Sequence, residues 1–253
     1  MRTLITLFVL GAVTVVLGPV VLVAGLLGVR DRPGGIYQRC MHGWARLGCR
    51  AAGVRIVVHD PSRMSPDHGV VYIANHVSWF DVFALAATLP RFSFIAKSEL
   101  RKIQLFGPAA AAAGIVFLER ENRKQAFQSY RGAAEQVRDG RSVVVYPEGT
   151  RGQAYPLRPF KKGPFVLAIA SGSAIVPTVI YGGCEIMPRG SFRIRPGDIH
   201  VHFLEPIATA GLSYADRGVL MTRVWQRMAD ALYELYGVAH SERPIANPNE
   251  RVI

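Results

Sequence analysis

Residues 3–29 carry no charged side chain and are dominated by Leu, Val, Ala and Gly. A helix of that length reaches roughly 40 Å, more than the ~30 Å hydrocarbon core of a bilayer. Pro19, near its middle, predicts either one bent span or the corner of a re-entrant pair. A secretory signal fits less well, because its apolar region is shorter and ends at a small-residue cleavage site. This run ends at Arg30-Asp31-Arg32-Pro33. Residues 36–52 interleave Tyr37, Cys40, Met41, Trp44, Leu47 and Cys49 with arginines, an amphipathic helix pattern that would lie either on a membrane or on the domain itself.

Beyond residue 53 the period changes. Short β-rich runs recur at residues 54–58, 70–74, 92–96, 115–118, 142–146, 174–180 and 199–204. Helix patterns lie between them. Residues 122–139 place Ala126, Phe127, Tyr130, Ala133, Ala134 and Val137 on one stripe, with Asn122 as a cap and Gly140 just past the end. Residues 214–236 do the same with Leu220, Val224, Met228, Ala231, Leu232 and Leu235, stopping at Gly237. The alternation predicts an α/β fold, a mostly parallel sheet flanked by helices, preceded by an N-terminal membrane-anchoring helical segment. The expected divisions are a membrane anchor and amphipathic helix over 1–52, the main domain over 53–237, and a polar, proline-containing tail over 238–253.

Length and composition narrow this picture. A chain of 253 residues accommodates one large domain with an anchor, and half of its residues are hydrophobic. The net charge of +12 favours anionic partners: nucleic acid, lipid phosphates or an acidic carrier. No nucleic-acid-binding motif is present, and that reading leaves the apolar N-terminus unexplained. Residues 91–162 hold 14 Lys or Arg against 6 Asp or Glu, so the basic excess is concentrated there. Arg30, Arg32, Arg39, Arg46 and Arg50 follow the apolar run directly and place the downstream domain on the cytoplasmic side of the inner, cytoplasmic membrane. Cys40, Cys49 and Cys184 are odd in number and lack metal or disulfide spacing, which suits a reducing cytoplasm.

The candidate chemistry gathers where strands end. The run 70–74 leads into Asn75-His76-Val77-Ser78-Trp79-Phe80-Asp81 and then an apolar helix pattern. His76 therefore sits at the carboxyl end of a strand, where open α/β sheets place reactive groups. A carboxylate five residues on allows a dyad in which Asp81 holds one ring nitrogen and leaves the other as a base. Ser78-x-x-Asp81 is equally a capping box, which would make Asp81 a structural residue. The run 142–146 ends in Pro147-Glu148-Gly149-Thr150-Arg151, where Gly149 permits an unusual backbone angle and Arg151 offers a fork of donors to phosphate. Gly114-Ile115-Val116-Phe117-Leu118-Glu119-Arg120 delivers another arginine, and Lys97 follows 92–96.

These blocks resemble those of the glycerolipid acyltransferases, the His-x4-Asp group that contains 1-acyl-glycerol-3-phosphate acyltransferase. Asn75-His76 with Asp81 is similar to the family's first motif, residues 114–120 to its second, Glu148-Gly149-Thr150-Arg151 to its third, and Ile175-Val176-Pro177-Thr178 to its fourth. All four occur in the family's order. Gly152 stands where a serine often follows the third. The resemblance implies a glycerol-3-phosphate acyltransferase-like fold, with His76 as general base and Asp81 as its orienting partner. It implies that Arg120 and the Glu148, Gly149, Thr150, Arg151 loop bind the acceptor's phosphate, and that Asn75, Gly114, Phe117 and Pro177 support the motifs; Lys97, at its own strand end, is expected to join the phosphate site by position. The implied partners are membrane lipids, a lysophospholipid acceptor, and acyl-CoA or acyl-carrier protein as donor substrate, with no resident cofactor or metal. The acceptor would be lysophosphatidate, with lyso-ornithine lipid or glycerol 3-phosphate as alternatives, and a noncatalytic lipid-binding protein as a rival of another class.

Three features stay open in the sequence. His200 and His202 share a strand face but show no carboxylate or cysteine at ligand spacing. Lys161-Lys162-Gly163 is either a phosphate or carrier contact or a solvated turn. Trp79 and Phe80 border an acyl path or belong to the core.

Overall fold

The structure is a computed structural model that describes residues 1–64, 68–119 and 123–240. Two helices come first. α1 (Arg2–Leu26) runs through Pro19 without interruption, so among the two expectations for the apolar run the single helix is found. α2 (Ile36–Ala52) follows and ends at Gly53 in the left-handed conformation. It packs on α1, where Trp44 Nε1 donates to Thr14 Oγ1 at 3.0 Å.

Seven strands then form one sheet: β1 (Val54–His59), β2 (Val71–Ala74), β3 (Phe92–Lys97), β4 (Val116–Leu118), β5 (Ser142–Val145), β6 (Ile175–Tyr181) and β7 (Gly197–Phe203). Their order is β1-β7-β6-β2-β5-β3-β4, and every neighbouring pair is parallel except β6 with β7. β2 to β6 therefore point one way and release their carboxyl ends along a common edge, while β1 and β7 point the other way.

Between the strands lie α3 (Trp79–Thr88), α4 (Phe106–Ala112), α5 (Arg123–Arg138), α6 (Gly163–Ser171) and α7 (Gly183–Ile186), and α8 (Arg217–Tyr236) follows the last strand. The period-2 alternation sorts the strand residues between two faces. Tyr72, Ala74 and Val144 join Phe80, Phe83 and Leu85 under α2 and α3. Val71, Ile73, Val143 and Val145 join Ala133, Val137, Phe165, Leu220, Val224 and Met228 under α5, α6 and α8. The result is a three-layer α/β/α arrangement, with α1 lying outside the layer made by α2.

Several sequence expectations need adjustment. α4, α6 and α7 carry too short an apolar period to stand out. Phe127 is 57% exposed instead of buried, and Leu235 is 49% exposed, because each lies at the margin of its helix stripe. The cap expected at Asn122 and most of the expected tail, residues 241–253, lie outside the described residues.

α5 is set close to the start of β2. A Cβ on Gly69 would stand 2.0 Å from the Val137 carbonyl oxygen, which belongs to the backbone and cannot move aside. Gly132, on the same helix, has nothing within 4 Å of such a Cβ. Gly69→Ala is expected to destabilise by about 1–3 kcal/mol through overpacking. Gly132→Ala is expected to stabilise by roughly 0.5–1 kcal/mol through helix propensity. Chemical denaturation in detergent, followed by circular dichroism, reads both.

Candidate active site

β2 is short, and its last rung is made by a side chain. Buried Asn75 donates through Nδ2 to the Ile180 carbonyl at 2.8 Å and accepts from the Ile180 N–H at 2.7 Å, a backbone-like pairing that extends β2 along β6. This anchors the turn that follows. His76 N–H donates to Glu148 Oε1 at 3.0 Å, and the His76 carbonyl accepts from Gly152 N–H at 2.7 Å. The first and third sequence blocks are thus joined through the backbone of His76 itself.

The His76 ring lies with Nδ1 2.9 Å from Asp81 Oδ2. The same oxygen accepts from Val77 N–H at 2.7 Å and Ser78 N–H at 2.8 Å. Ser78 Oγ in turn accepts from Phe80 N–H and completes the capping box of α3. The dyad and the capping box are therefore not alternatives; one buried carboxylate serves both. An Nδ1–H donating to Asp81 leaves the lone pair of His76 on Nε2, and His76 lines a cavity.

Asp81 Oδ1 makes no hydrogen bond among the described residues, because it faces the α carbon of Gly183. A Cβ there would come within 2.6 Å of it. Gly183 is held in place by Tyr155, whose hydroxyl accepts from Gly182 and Cys184 N–H at 2.9 and 3.1 Å and donates in a short bond to Glu185. On its other side the His76 ring stacks on Tyr146, centroids 4.1 Å apart. The Tyr146 hydroxyl is buried with no hydrogen-bond partner among the described residues.

The remaining predicted residues divide. Arg151 lines the cavity with its guanidinium 5.0 Å over the Trp79 ring, and its carbonyl accepts from Arg189 Nη1 at 2.8 Å. Partial burial first, then the Arg189 charge, lower its pKa against the pull of Asp81; a guanidinium stays charged regardless. Gly149 adopts φ 75°, and exposed Thr150 lines the same cavity wall. Lys97 lines it too, ion-paired with Glu99. Lys161 and Lys162 also face this space. Phe117 borders the cavity, and the Gly114 carbonyl accepts from Ser93 Oγ at 2.6 Å and Gln136 Nε2 at 3.1 Å. Pro177 sits opposite Ile73, and its carbonyl accepts from Leu204 N–H at 2.9 Å, a bond that proline, lacking an N–H, cannot return. Arg120 lies outside the described residues.

Glu148 requires a correction. Grouped by sequence with the phosphate-binding residues, it instead turns both carboxylate oxygens onto backbone N–H groups, of His76 and of Arg158 at 3.0 and 3.3 Å. It acts as a strut between loops. Burial is the main cause that raises its pKa to about 7, against the pull of those two bonds.

The cavity measures about 1210 Å³ and is mainly apolar. His76 and Arg151 stand at its polar end, and Val21, Trp44, Phe83, Phe106, Phe117 and Tyr130 line the rest. α1 and α2 thus contribute wall to the same space as the dyad. Trp79 lines the cavity and Phe80 lies in the core, so the two aromatics of the first motif split between the two sequence readings.

A family model for the acyltransferases matches residues 55–181, about half of the chain and the whole span from β1 to β6. The chain belongs to the acyltransferase family. This family member is 36% identical over 144 residues to a chloroplastic 1-acyl-sn-glycerol-3-phosphate acyltransferase of Brassica napus, covering 56% of this chain and 42% of that protein. It is 30% identical over 245 residues to the lyso-ornithine lipid O-acyltransferase of Pseudomonas aeruginosa, covering 88% and 90%. Among solved structures, the 1-acyl-sn-glycerophosphate acyltransferase of Thermotoga maritima shares the fold, with a TM-score of 0.77, 24% identity, and coverage of 94% and 97%. The chain spans less than half the length of the Brassica relative.

Sequence reasoning missed Tyr146, Gly183 and Arg189. Tyr146 read as the end of an apolar strand, and Gly183 as one of a glycine pair with no local signal that a carboxylate lies above it.

Glu148 makes a pH prediction. Its folded pKa, about 7, lies above its ordinary value of 4.5, so folding favours the protonated form. The stability this contributes is complete below pH 4.5 and is lost as pH rises through about 7. Wild type is expected to lose about 3 kcal/mol more than Glu148→Gln between pH 4.5 and 8. Denaturant titrations at the two pH values measure the difference.

Proposed function

We propose that this family member is an O-acyltransferase that moves a fatty acyl group from a thioester to the free hydroxyl of lysophosphatidate, forming phosphatidate. The observation that carries the reading is the His76–Asp81 pair, 2.9 Å apart, at the polar end of an apolar cavity rimmed by Arg151. His76 Nε2 takes the proton as the acceptor oxygen attacks the thioester carbonyl carbon. The tetrahedral intermediate collapses with cleavage of the C–S bond, and the departing sulfur receives the proton from His76. No covalent enzyme intermediate forms. Asp81 keeps the imidazole in the required tautomer, and Arg151, with Lys97 and the 149–151 loop, holds the anionic headgroup. The apolar wall takes the acyl chain. The thioester, on coenzyme A or a carrier protein, is a substrate, and the reading calls for no resident cofactor.

The exposed face of α1, including Leu4, Leu7, Phe8, Val15, Val16 and Val23, supports membrane association. The helix is docked along its length, from Ile194 N–H on Thr3 Oγ1 to Gly18 against Leu105 and Gly25 against Ala112. In this reading the helix sits in the lipid beside the cavity, with the domain on the cytoplasmic face of the inner membrane, a sidedness that rests on the arginines following the apolar run. The donor and acceptor would both reach His76 from that side.

One observation favours a second acceptor, because the relative matched over 90% of its own length is named for lyso-ornithine lipid. Purified protein given labelled acyl donor and a panel of lysophosphatidate, lyso-ornithine lipid and glycerol 3-phosphate separates the readings. Lysophosphatidate is expected to be acylated fastest, and His76→Ala to lower turnover by roughly 10²–10⁴-fold while membrane association persists. Failure of lysophosphatidate beside successful lyso-ornithine lipid would replace the acceptor. Undiminished transfer by His76→Ala would remove it as the base.

A further inference from the structure

The pair His200 and His202 gains a partner that sequence spacing did not reveal. β1 and β7 are paired in parallel with His59 directly opposite His202. His200, two residues earlier on β7, faces the same side of the sheet. The His59 and His202 rings stack with centroids 3.9 Å apart and planes 4° from parallel. His59 Nε2 lies 3.1 Å from His200 Nδ1. One ligand nitrogen from each of the three rings lies within 4.8 Å of the others.

We infer that His59, His200 and His202 form a site for a divalent transition metal, matched to zinc, which pins the edge strand β1 to β7 and to the end of α8. A tetrahedral zinc with Zn–N distances of about 2.0–2.1 Å places its ligand nitrogens about 3.3 Å apart. The His59–His200 contact already meets that spacing. The remaining edges close by rotation of His59 and His200, which are half-buried. His202 is buried, and its Nε2 is bound to the Tyr236 hydroxyl at 2.6 Å, which makes Nδ1 the nitrogen left to take a metal. Metal-binding histidines characteristically fix their second nitrogen in this way. Tyr236 is itself held by stacking on Tyr181, centroids 3.8 Å apart and planes 2° from parallel. Arg63, a cation in the segment after β1, is paired with Asp60 and Glu205. An all-imidazole set suits zinc, nickel or copper over magnesium or calcium, and three ligands leave the fourth position to water.

The site is distinct from the dyad. In the sheet order β1-β7-β6-β2, β6 separates its strands from β2, which leads to His76. None of its three histidines lines the catalytic cavity. Its role is to brace one end of the sheet, not to take part in acyl transfer.

The test uses the full-length, untagged chain in detergent, stripped with a chelator and then titrated with Zn²⁺ by calorimetry and with Co²⁺ by visible absorption. Wild type is expected to take up one metal per chain with a rise in Tm, and Mg²⁺ to do nothing. His59→Ala and His200→Ala should each weaken uptake roughly tenfold or more, and Tyr236→Phe by about 10–100-fold. His68→Ala, at an exposed position, should leave it unchanged. Absence of uptake by wild type, or equal uptake by His59→Ala and His200→Ala, would overturn the site and leave a packed imidazole stack.

Discussion

One oxygen of Asp81 holds three donors at once: the His76 ring at 2.9 Å and the backbone N–H groups of Val77 and Ser78 at 2.7 and 2.8 Å. The residue is fully buried, and a carboxylate taken out of water is costly unless its oxygens are hydrogen-bonded. Those bonds oblige the chain to wrap tightly between β2 and α3, and this wrapping aims the imidazole at the cavity. The second oxygen is accommodated only because Gly183 presents no side chain. Catalytic geometry and local folding therefore share a single anion. A change there is felt by the α3 cap and by the proposed base together.

The sheet supplies the larger frame. Because β2 to β6 run the same way, their carboxyl-end loops meet along one edge. The Glu148 strut then ties the β5 loop to the backbone of His76. Burying Glu148 raises its pKa to about 7, a cost accepted to hold two loops in register. α1 and α2 complete the apolar wall, so in the proposed reading the elements that face the lipid also shape the space for the acyl chain. Membrane docking and substrate capture become parts of the same packing problem.

The fold was legible where periodicity is strong. All seven strands were marked by short β-rich runs, and α2, α3, α5 and α8 by stripes, caps or terminal glycines. α4, α6 and α7 were not, since helices of 7, 9 and 4 residues hold too few turns to show a period. In the site, His76, Asp81 and Arg151 stood out through local spacing. Tyr146, Gly183 and His59 did not, because their importance arises from strand pairing and close approach between segments far apart in sequence. Glu148 was legible as a site residue but not as a strut, since an acidic side chain beside an arginine looks ligand-facing until the backbone donors around it are known.

The central claim is that the Asp81 carboxylate steers His76 and stabilises its protonated ring, and Asp81→Asn tests it most directly. The asparagine oxygen can still accept from Val77 and Ser78, so the α3 cap and the thermal midpoint should stay close to wild type. The same oxygen still faces His76 Nδ1 but as a neutral amide, so the charge that stabilises the protonated ring is lost. Steady-state kinetics with lysophosphatidate should then show kcat lower by roughly 10²–10⁴-fold with KM little changed. A variant that folds normally and turns over at the wild-type rate would contradict the account.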